Sequence, residues 1–360
     1  MRGADADGVP CTWMRGGTSK GAFFLAGDLP ADPAERDDLL LRIMGTPDPR
    51  QIDGIGGSTS LTSKVAILSP SDAPGVDVDY LFLQLGVEEP TVSDRQTCGN
   101  LLAGVGQFAV EAGLAAAEGA SAEVRIRMVN TGGLASARFP LQGGRPEYAG
   151  DTAMDGVPGT AAPVSLSFKD TVGSATGALF PTGNTRDTIG GIEVTCVDNG
   201  MPVVVAAAAS LGLTGYETHA ELDADTALLD RVDALRIEAA RLMGMGDVTD
   251  SSVPKAVLVA PAADGGHVCT RSFIPRRPHA AIGVFAAVSA VTALMTAGAV
   301  GKDLVAAWPE HLRRVDVEHP SGHLLVDLDL DTDANPPVVR AAGVVRTARK
   351  LFAGRAYPRT

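Results

Sequence analysis

The sequence predicts an α+β protein made of two similar halves, each a layer of β-strands around one buried helix. Two segments, 101–117 and 280–295, are apolar on nearly every face, which is typical of a helix surrounded by other parts of the chain. Runs of alternating or continuous apolar residues precede both segments, as expected for strands. The entrances to the two helices lie about half a chain length apart, which favours an internal duplication over two unrelated core helices.

The remaining elements follow from apolar patterns and turn residues. In the first half we expect strands within 9–26, around a glycine-rich turn, and at 64–69, 76–87, 123–129 and 134–139. A turn-rich stretch over 140–163 comes next. In the second half we expect strands at 164–168, 192–197 and 255–260 and an acidic helix at 220–243.

Length and composition indicate two folded domains. The chain has 360 residues, of which 45% are apolar and 20% charged, so it buries a sizeable core and disorder is excluded as its main state. At about 150 residues per domain, two domains are expected. We place them at 1–184 and 185–360, with the last segment able to pack back on the first domain.

The charge excludes whole classes of partner. A net charge of −13 repels phosphate backbones, and no run of five basic residues exists, so nucleic acid is not expected as a partner. The apolar stretch at 280–300 contains polar residues and glycines, which favours a core helix over a membrane span. The N-terminus has no apolar signal core, so we expect a cytoplasmic protein. The sequence leaves the oligomeric state open and is compatible with a homo-oligomer.

Among the four cysteines, Cys98 has the most informative position. Cys11, Cys98, Cys196 and Cys269 form no CxxC pair, so neither disulfides nor a zinc site are expected. Cys98 directly precedes a buried helix, where unpaired N–H groups and the helix dipole favour a thiolate able to act as a general base. An inert buried cysteine is an equally good interpretation, since free cysteine is among the most buried residue types.

Two glycine-rich segments carry candidate binding residues. The turn at 15–21 lacks the spacing of a phosphate loop, but it could present N–H groups, a hydroxyl and an ammonium to a small anion. A hydroxyl-rich loop at 53–63 leads directly into Lys64, at the start of an apolar strand. Lys64 therefore faces either a ligand or solvent.

In the second half, His279 stands near the entrance of the apolar helix, as Cys98 does in the first. Arg271, Arg276 and Arg277 precede it and form the densest basic cluster in this acidic chain. Such a cluster favours a carboxylate-rich small ligand, and a solvated loop is the alternative. Turns at 181–184 and 198–202 could line the same cleft between the halves.

Seven motifs together resemble the PrpF-type isomerases, collinearly from about residue 9 to 353. This family includes 2-methylaconitate cis–trans isomerases, methylitaconate isomerases and the 4-oxalomesaconate tautomerases of gallate degradation, and the motifs are most similar to the tautomerase branch. The motifs are MRGGTSKGAFF (14–24), QIDGIGGSTSLTSKVAIL (51–68), TCGNLLAGVGQFAVEAGL (97–114), PTGNTRD (181–187), VTCVDNGMPVVV (194–205), RSFIPRRPHAAIGVFAAVS (271–289) and VEHPSG (317–322).

The resemblance implies a diaminopimelate epimerase-like fold with two pseudo-symmetric domains and catalysis without metal or organic cofactor. It places the family's active-site lysine and cysteine on Lys64 and Cys98. The implied activity is keto–enol tautomerisation of a small tricarboxylate by acid–base proton transfer, with allylic isomerisation of a related tricarboxylate and non-catalytic carboxylate binding as alternatives. Substrate-binding residues are expected at Ser19, Lys20, Gly57, Ser58, Gly99, Asn100, Thr182, Gly183, Asn184, Arg271 and His279.

Overall fold

The computed structural model describes residues 8–94, 98–249, 251–304, 314–334 and 337–360. The chain divides into two compact units, the first formed by Met1–Leu166 and Arg346–Thr360 and the second by Ser167–Val345. The division thus comes earlier than the expected boundary at 184/185. The reason is that the loop after residue 168 is fastened to the second unit, where the Asp198 carboxylate accepts hydrogen bonds from Ser174, Ala175 and Thr176.

The first unit contains a mixed sheet with helices on both faces, and Thr152–Met154 pairs with Val157–Ala161 in a separate two-stranded sheet. Its helices are α1 (Pro33–Met44), α2 (Gly99–Leu102) and α3 (Val105–Glu111), with a 3₁₀ turn at Ala26–Asp28. Its strands are β1 (Val9–Gly16), β2 (Ser19–Leu25), β3 (Lys64–Pro70), β4 (Val78–Leu85), β5 (Val92–Ser93), β6 (Ser121–Met128), β7 (Leu134–Gln142), β8 (Arg145–Pro146), β9 (Thr152–Met154), β10 (Val157–Ala161) and β11 (Pro163–Phe168), the last of which crosses the division.

Alternation along the strands separates two buried layers in the first unit. One face of β1–β4 packs on α1 through residues such as Trp13, Phe24 and Leu83. The opposite face carries Met14 and Phe23, both of which reach Gly104 between α2 and α3. Ser19 and Lys64, described below, lie on this second face.

The continuous helix expected over 101–117 is wrong, since two short helices stand there instead. α2 ends after Leu102, and the N–H groups of Ala103 and Gly104 bond three residues back, to Asn100 and Leu101. A Cβ at Gly104 would lie 3.0 Å from the Phe23 ring. The glycine admits this close approach to the sheet, which a regular helix with larger side chains would not allow.

The second unit contains the other elements. Its strands are β12 (Asp187–Ile189), β13 (Ile192–Asp198), β14 (Pro202–Ala207), β15 (Lys255–Pro261), β16 (Val268–Ile274), β17 (Arg277–Pro278), β18 (Arg314–His319), β19 (Gly322–Asp331) and β20 (Val338–Ala356), which crosses into the first unit and pairs there with β1. Its helices are α4 (His219–Ala224), α5 (Thr226–Leu242) and α6 (Val284–Met295), with 3₁₀ turns at Ala208–Leu211 and Lys302–Leu304.

The order of strand pairings in the second unit repeats that of the first, which confirms the predicted duplication. In both units an antiparallel hairpin is followed by a parallel, an antiparallel, a parallel and again an antiparallel pairing. In the first unit these pairs are β1–β2, β2–β3, β3–β4, β4–β6 and β6–β7. In the second they are β13–β14, β14–β15, β15–β16, β16–β18 and β18–β19.

The apolar segment at 280–300 forms α6, a core helix of 12 residues, as predicted. Residues Ala286 to Leu294 are all buried in it, so it is apolar because the sheet and neighbouring segments surround it. None of the helices in the described ranges is both long and apolar enough to cross a membrane.

Asn199, in the turn between β13 and β14, fastens this hairpin to α6. Its backbone N–H donates to Ser289 Oγ at 3.0 Å, and its Nδ2 donates to Thr292 Oγ1 at 2.8 Å. Its Oδ1 accepts a hydrogen bond from Thr171. All of these groups are buried in the second unit, so this one residue links α6 both to the hairpin and to Thr171.

Replacing Asn199 by alanine should therefore destabilise the second unit by about 2–4 kcal/mol, because buried hydroxyls of Thr171 and Thr292 lose a partner. Urea unfolding followed by circular dichroism measures the loss. The matched control is Asn184→Ala, which removes an exposed amide and should cost less than about 1 kcal/mol. Equal stabilities of the two variants would contradict the role given to Asn199.

Candidate functional site

Lys64 occupies a buried position with a defined partner. It is the first residue of β3 and only 7% exposed, so it is not a solvated edge lysine. The β3–β4 register places it opposite Gln84, and its Nζ donates to Gln84 Oε1 at 2.6 Å. The same ammonium lies 5.1 Å from the centroid of the Phe82 ring, within range of a cation–π interaction.

The Gln84 amide is fixed from the other side. Its Nε2 donates to the carbonyl oxygens of Ser60 and Ser63 at 3.1 Å and of Leu85 at 3.2 Å. These three acceptors determine which end of the amide carries the nitrogen, so Oε1 faces Lys64. Gln84 thus ties the hydroxyl-rich loop to the ammonium of Lys64.

Cys98 is the half-buried cysteine of the four, and the other three are buried. It caps the start of α2, where its Sγ accepts a hydrogen bond from the Leu101 N–H at 3.4 Å. Burial raises the pKa of Cys11 and of Cys196 to about 12, so these thiols stay protonated. Burial also raises the pKa of Cys269.

Tyr80 brings β4 into the electrostatic neighbourhood of Cys98. It lies on the same face of β4 as Phe82 and Gln84, two and four residues along the strand. It is fully buried, and its hydroxyl has no hydrogen-bond partner among the described residues. Burial, and secondly the negative charge of a Cys98 thiolate, hold its pKa well above the usual range. Side chains on one face of β4 therefore interact with both Lys64 and Cys98.

Ser19 lies on this same layer of the first unit. Gly21 of β2 pairs with Lys64 of β3, and Ser19 lies two residues before Gly21. The side chains of Ser19 and Lys64 therefore point to the same face of the sheet. Ser19 is 1% exposed and its Oγ has no partner in the described part of the chain. A buried hydroxyl without a partner is costly unless a ligand supplies one.

Asn100 links the hairpin turn to an arginine that the sequence did not point to. Its Nδ2 donates to Thr18 Oγ1 at 3.1 Å, and its Oδ1 accepts from Arg346 Nε at 3.2 Å. Arg346 is 8% exposed, and burial lowers the pKa of its guanidinium to about 10. Gly17, at a φ of +54°, leaves the space that the Asn100 side chain needs.

Gly57 and Ser58 belong to the loop that leads to Lys64, where their polar groups hold the loop itself. The Gly57 N–H donates to Thr62, and the Ser58 N–H donates to Gln51 Oε1. Ser58 Oγ donates to the carbonyl of Arg50 at 2.8 Å. Ser58 has a φ of +66°, a strained conformation for a residue with a side chain.

The structure places Lys20 on the opposite face of the sheet from Ser19 and Lys64. It pairs with Arg15, which in turn pairs with Arg349 on β20. These three cations and Arg145 line a cavity of about 770 Å³, which neither Lys64 nor Cys98 lines. The alternation along β2 separates Lys20 from Ser19, and the expected binding role of Lys20 stays a prediction.

In the second unit, His279 is held in a single tautomer. Its Nδ1 accepts a hydrogen bond from the Ala281 N–H at 2.9 Å, so its ring proton resides on Nε2. Burial lowers the pKa of His279, and the positive charges of Lys255 and His219 lower it further. His279 is thus a neutral donor. The residue that starts α6 as Cys98 starts α2 is, however, Gly283, four positions further on.

The remaining second-unit candidates have internal roles. Arg271 shares a face with Phe273, which packs on the α4–α5 side, and its guanidinium donates to the carbonyls of Glu217 and Thr270. Thr182 and Asn184 both donate to the Asp187 carboxylate, and Gly183 supplies the positive φ of that turn. The binding roles expected of these four residues stay predictions.

Comparison with known proteins identifies the family. A model of the PrpF protein family matches residues 7–359. The chain belongs to the PrpF family. It is 54% identical over 354 residues to a (4E)-oxalomesaconate Delta-isomerase of Novosphingobium sp. (strain KA1), with 98% of each chain covered. It is 54% identical over 346 residues to a 4-oxalomesaconate tautomerase of Pseudomonas putida, covering 96% of this chain and 95% of that one. The protein is an isomerase.

Solved structures confirm the predicted fold class. A methylitaconate-delta-isomerase superposes with a TM-score of 0.89 at 33% identity, covering 96% of this chain and 94% of that one. A hydroxyproline epimerase of Agrobacterium vitis, 14% identical, superposes with a TM-score of 0.52 over 99% of this chain and 94% of that one. The PrpF chain thus has the two-unit fold of the epimerases.

Gln84→Leu should lower kcat about 100-fold with a small change in melting temperature, since Lys64 loses the acceptor that positions its ammonium. Steady-state kinetics and thermal unfolding measure the two effects. The control is Gln142→Leu, which changes an exposed glutamine at the end of β7. If Gln84→Leu keeps kcat within about threefold of the control, Gln84 does not position Lys64.

Tyr80→Phe should leave the fold at least as stable as the wild type, because the lost hydroxyl has no partner among the described residues. The dipole of a neutral hydroxyl near Cys98 stabilises a thiolate charge without a direct hydrogen bond, so its removal should lower the rate at which iodoacetamide alkylates Cys98 at pH 7. Tyr148→Phe in the same unit is the control and should leave that rate unchanged. An alkylation rate equal to that of the wild type would remove Tyr80 from the site.

Proposed function

We propose that this PrpF protein is a cofactor-independent keto–enol tautomerase that acts on 4-oxalomesaconate. The observation that carries the proposal is that one face of β4 interacts with both residues. Its Gln84 and Phe82 contact Lys64, and its Tyr80 interacts electrostatically with Cys98. An ammonium and a half-buried thiol are the acid–base pair that the reaction needs. The names of both relatives at 54% identity support the substrate.

The chemistry requires two proton transfers. The keto form of the substrate has an acidic C–H between a carbonyl and a conjugated alkene. One group removes this proton to give a dienolate, and a second group protonates the carbonyl oxygen to give the conjugated dienol. Cys98 and Lys64 take these two roles, in an order that the experiments below decide. General acid–base catalysis of this kind accelerates a reaction by roughly 10²–10⁴-fold.

The rest of the acceleration comes from stabilising the charged intermediate. The dienolate retains three carboxylates, so binding requires hydrogen-bond donors and positive charge. Ser19 and Asn100 supply the neutral groups of the first unit, and Arg346 supplies a buried positive charge beside Asn100. Donors that are already in place when the reaction starts cost no reorganisation. Neither a metal nor an organic cofactor takes part in this scheme, and the only partner it requires is the tricarboxylate.

Isomerisation of an allylic double bond is the second candidate. It begins with the same removal of a proton next to an alkene, but the proton returns to carbon rather than to oxygen. The close structural match to a methylitaconate-delta-isomerase favours this variant. Product analysis by NMR in deuterated water distinguishes the two, because only the allylic reaction leaves deuterium on a new carbon position.

Cys98→Ala should abolish the ultraviolet change that accompanies formation of the conjugated dienol, with at least a 10³-fold loss of kcat and an unchanged melting curve. Cys196→Ala is the matched control, since its thiol is buried and protonated, and it should keep most of the activity. Activity of Cys98→Ala within a few-fold of the wild type would remove this thiol from the mechanism.

The role of Lys64 is separated by two substitutions. Lys64→Met removes the charge and should lower kcat at least 100-fold. Lys64→Arg keeps the charge but cannot release a proton at accessible pH. If Lys64→Arg restores activity in the ultraviolet assay, the role of Lys64 is purely electrostatic. If both variants are inactive, Lys64 transfers a proton. Full activity of Lys64→Met would contradict any role.

A further inference from the structure

A row of cations crosses three neighbouring strands of the first unit, on the face of the sheet opposite to Lys64. Arg15 of β1 pairs with Lys20 of β2 on one side and with Arg349 of β20 on the other. Paired residues point to the same face and neighbouring strands lie about 4.8 Å apart, so this cation row spans roughly 10 Å. Like charges directly opposite each other destabilise a sheet. The cation row is therefore unfavourable without a compensating negative charge.

The described part of the chain supplies little of that charge. None of the ion pairs in the described ranges involves a residue of the cation row or Arg145, which lines the same cavity. The carboxylate among the described residues that line this cavity is that of Glu147, which accepts a hydrogen bond from the backbone N–H two residues further on at 2.7 Å. Four cations thus surround the cavity, in a chain whose 43 acidic residues outnumber its 30 basic ones.

The central residue of the cation row is held in place by the backbone. Arg15 is half-buried, and its Nη1 donates to the carbonyl oxygens of Gly17 and Thr347, both at 2.9 Å. Its Nε and Nη2 have no acceptor among the described residues. Burial, and secondly the positive charge of Arg349, lower the pKa of Arg15. The edge of a guanidinium that carries Nε and Nη2 matches two oxygens of a phosphate or a carboxylate.

The cavity in front of the cation row has the size of a metabolite site. Its volume is about 770 Å³, within the usual range for small-molecule sites. The two-stranded sheet of β9 and β10 contributes an uncharged wall, which includes Met154, Val157 and Pro158. A cavity that combines charges of one sign with low-dielectric walls concentrates ions of the opposite sign.

We propose that this cavity binds a small molecule with two or more oxyanion groups, either phosphates or carboxylates. One oxyanion group between Arg15 and Lys20, and a second between Arg15 and Arg349, would compensate both like-charge contacts of the cation row. Neither Lys64 nor Cys98 lines the cavity, so the site does not depend on the proposed function.

Calorimetric titration of the full-length protein with inorganic pyrophosphate, and separately with citrate, tests the site. Arg349→Gln should weaken binding about 10-fold or more, because it removes a charged hydrogen-bond donor. Arg349→Lys should have an intermediate affinity, since it keeps the charge but not the planar pair of donors. The matched control is Arg138→Gln, which removes an exposed arginine of the same unit outside the cavity and should leave the affinity within about twofold of the wild type.

The two probes and one further variant separate the ligand classes and the sites. If Arg349→Gln loses affinity for pyrophosphate alone, the cavity binds phosphates, and if it loses affinity for citrate alone, the cavity binds carboxylates. Lys64→Met should leave the binding that depends on Arg349 unchanged. If Lys64→Met weakens this binding as much as Arg349→Gln does, the anion binds at the substrate site and the proposal is overturned.

The melting temperature gives a second readout. Without added anion, Arg349→Gln should melt no lower than the wild type, because the substitution removes a like-charge contact with Arg15. The probe that binds should raise the melting temperature of the wild type more than that of Arg349→Gln. Arg145→Gln takes the place of Arg349→Gln if the latter fails to fold. A wild type that binds neither probe, or a loss of affinity in Arg138→Gln equal to that in the cavity variants, would overturn the site.

Discussion

The alternation of side chains along β4 is the constraint on which the first-unit site depends. Because side chains two residues apart share a face, Tyr80, Phe82 and Gln84 form one row. Gln84 and Phe82 contact the ammonium of Lys64, and Tyr80 lies in the electrostatic range of Cys98. A shift of β4 by one residue would turn the whole row to the other face and dismantle the site. The three carbonyls that bind Gln84 Nε2 act against such a shift.

The duplication repeats the strand pairings but not the side chains at equivalent positions. Each unit repeats the same pairing order and places a lysine at the start of the equivalent strand. The repeats differ at the helix entrance, which is a cysteine in the first unit and a glycine in the second. The first unit thus has a thiol at this position, and the second has no side chain there. Reactive groups need not be duplicated when the fold is.

The sequence predicted the duplication, the strands and the positions of Lys64 and Cys98, because each depends on local patterning. It failed where long-range packing decides. The interruption of the helix after Leu102 follows from the close approach of Gly104 to Phe23. The row of side chains on β4 could have been predicted from the alternation of the expected strand 76–87. The place of Arg346 beside Asn100 could not, since it depends on the return of the last segment to the first unit.

The most direct test of the central claim is the alkylation of all four cysteines by iodoacetamide at neutral pH, quantified by mass spectrometry. The reaction is run with and without tricarballylate, a saturated tricarboxylate that cannot tautomerise. If Cys98 is the reactive thiol of a carboxylate-binding site, it should be modified at least 10-fold faster than Cys11, Cys196 and Cys269, whose pKa values burial raises. Tricarballylate should protect it. Faster labelling of another cysteine, or labelling of Cys98 that the tricarboxylate does not slow, would contradict the account.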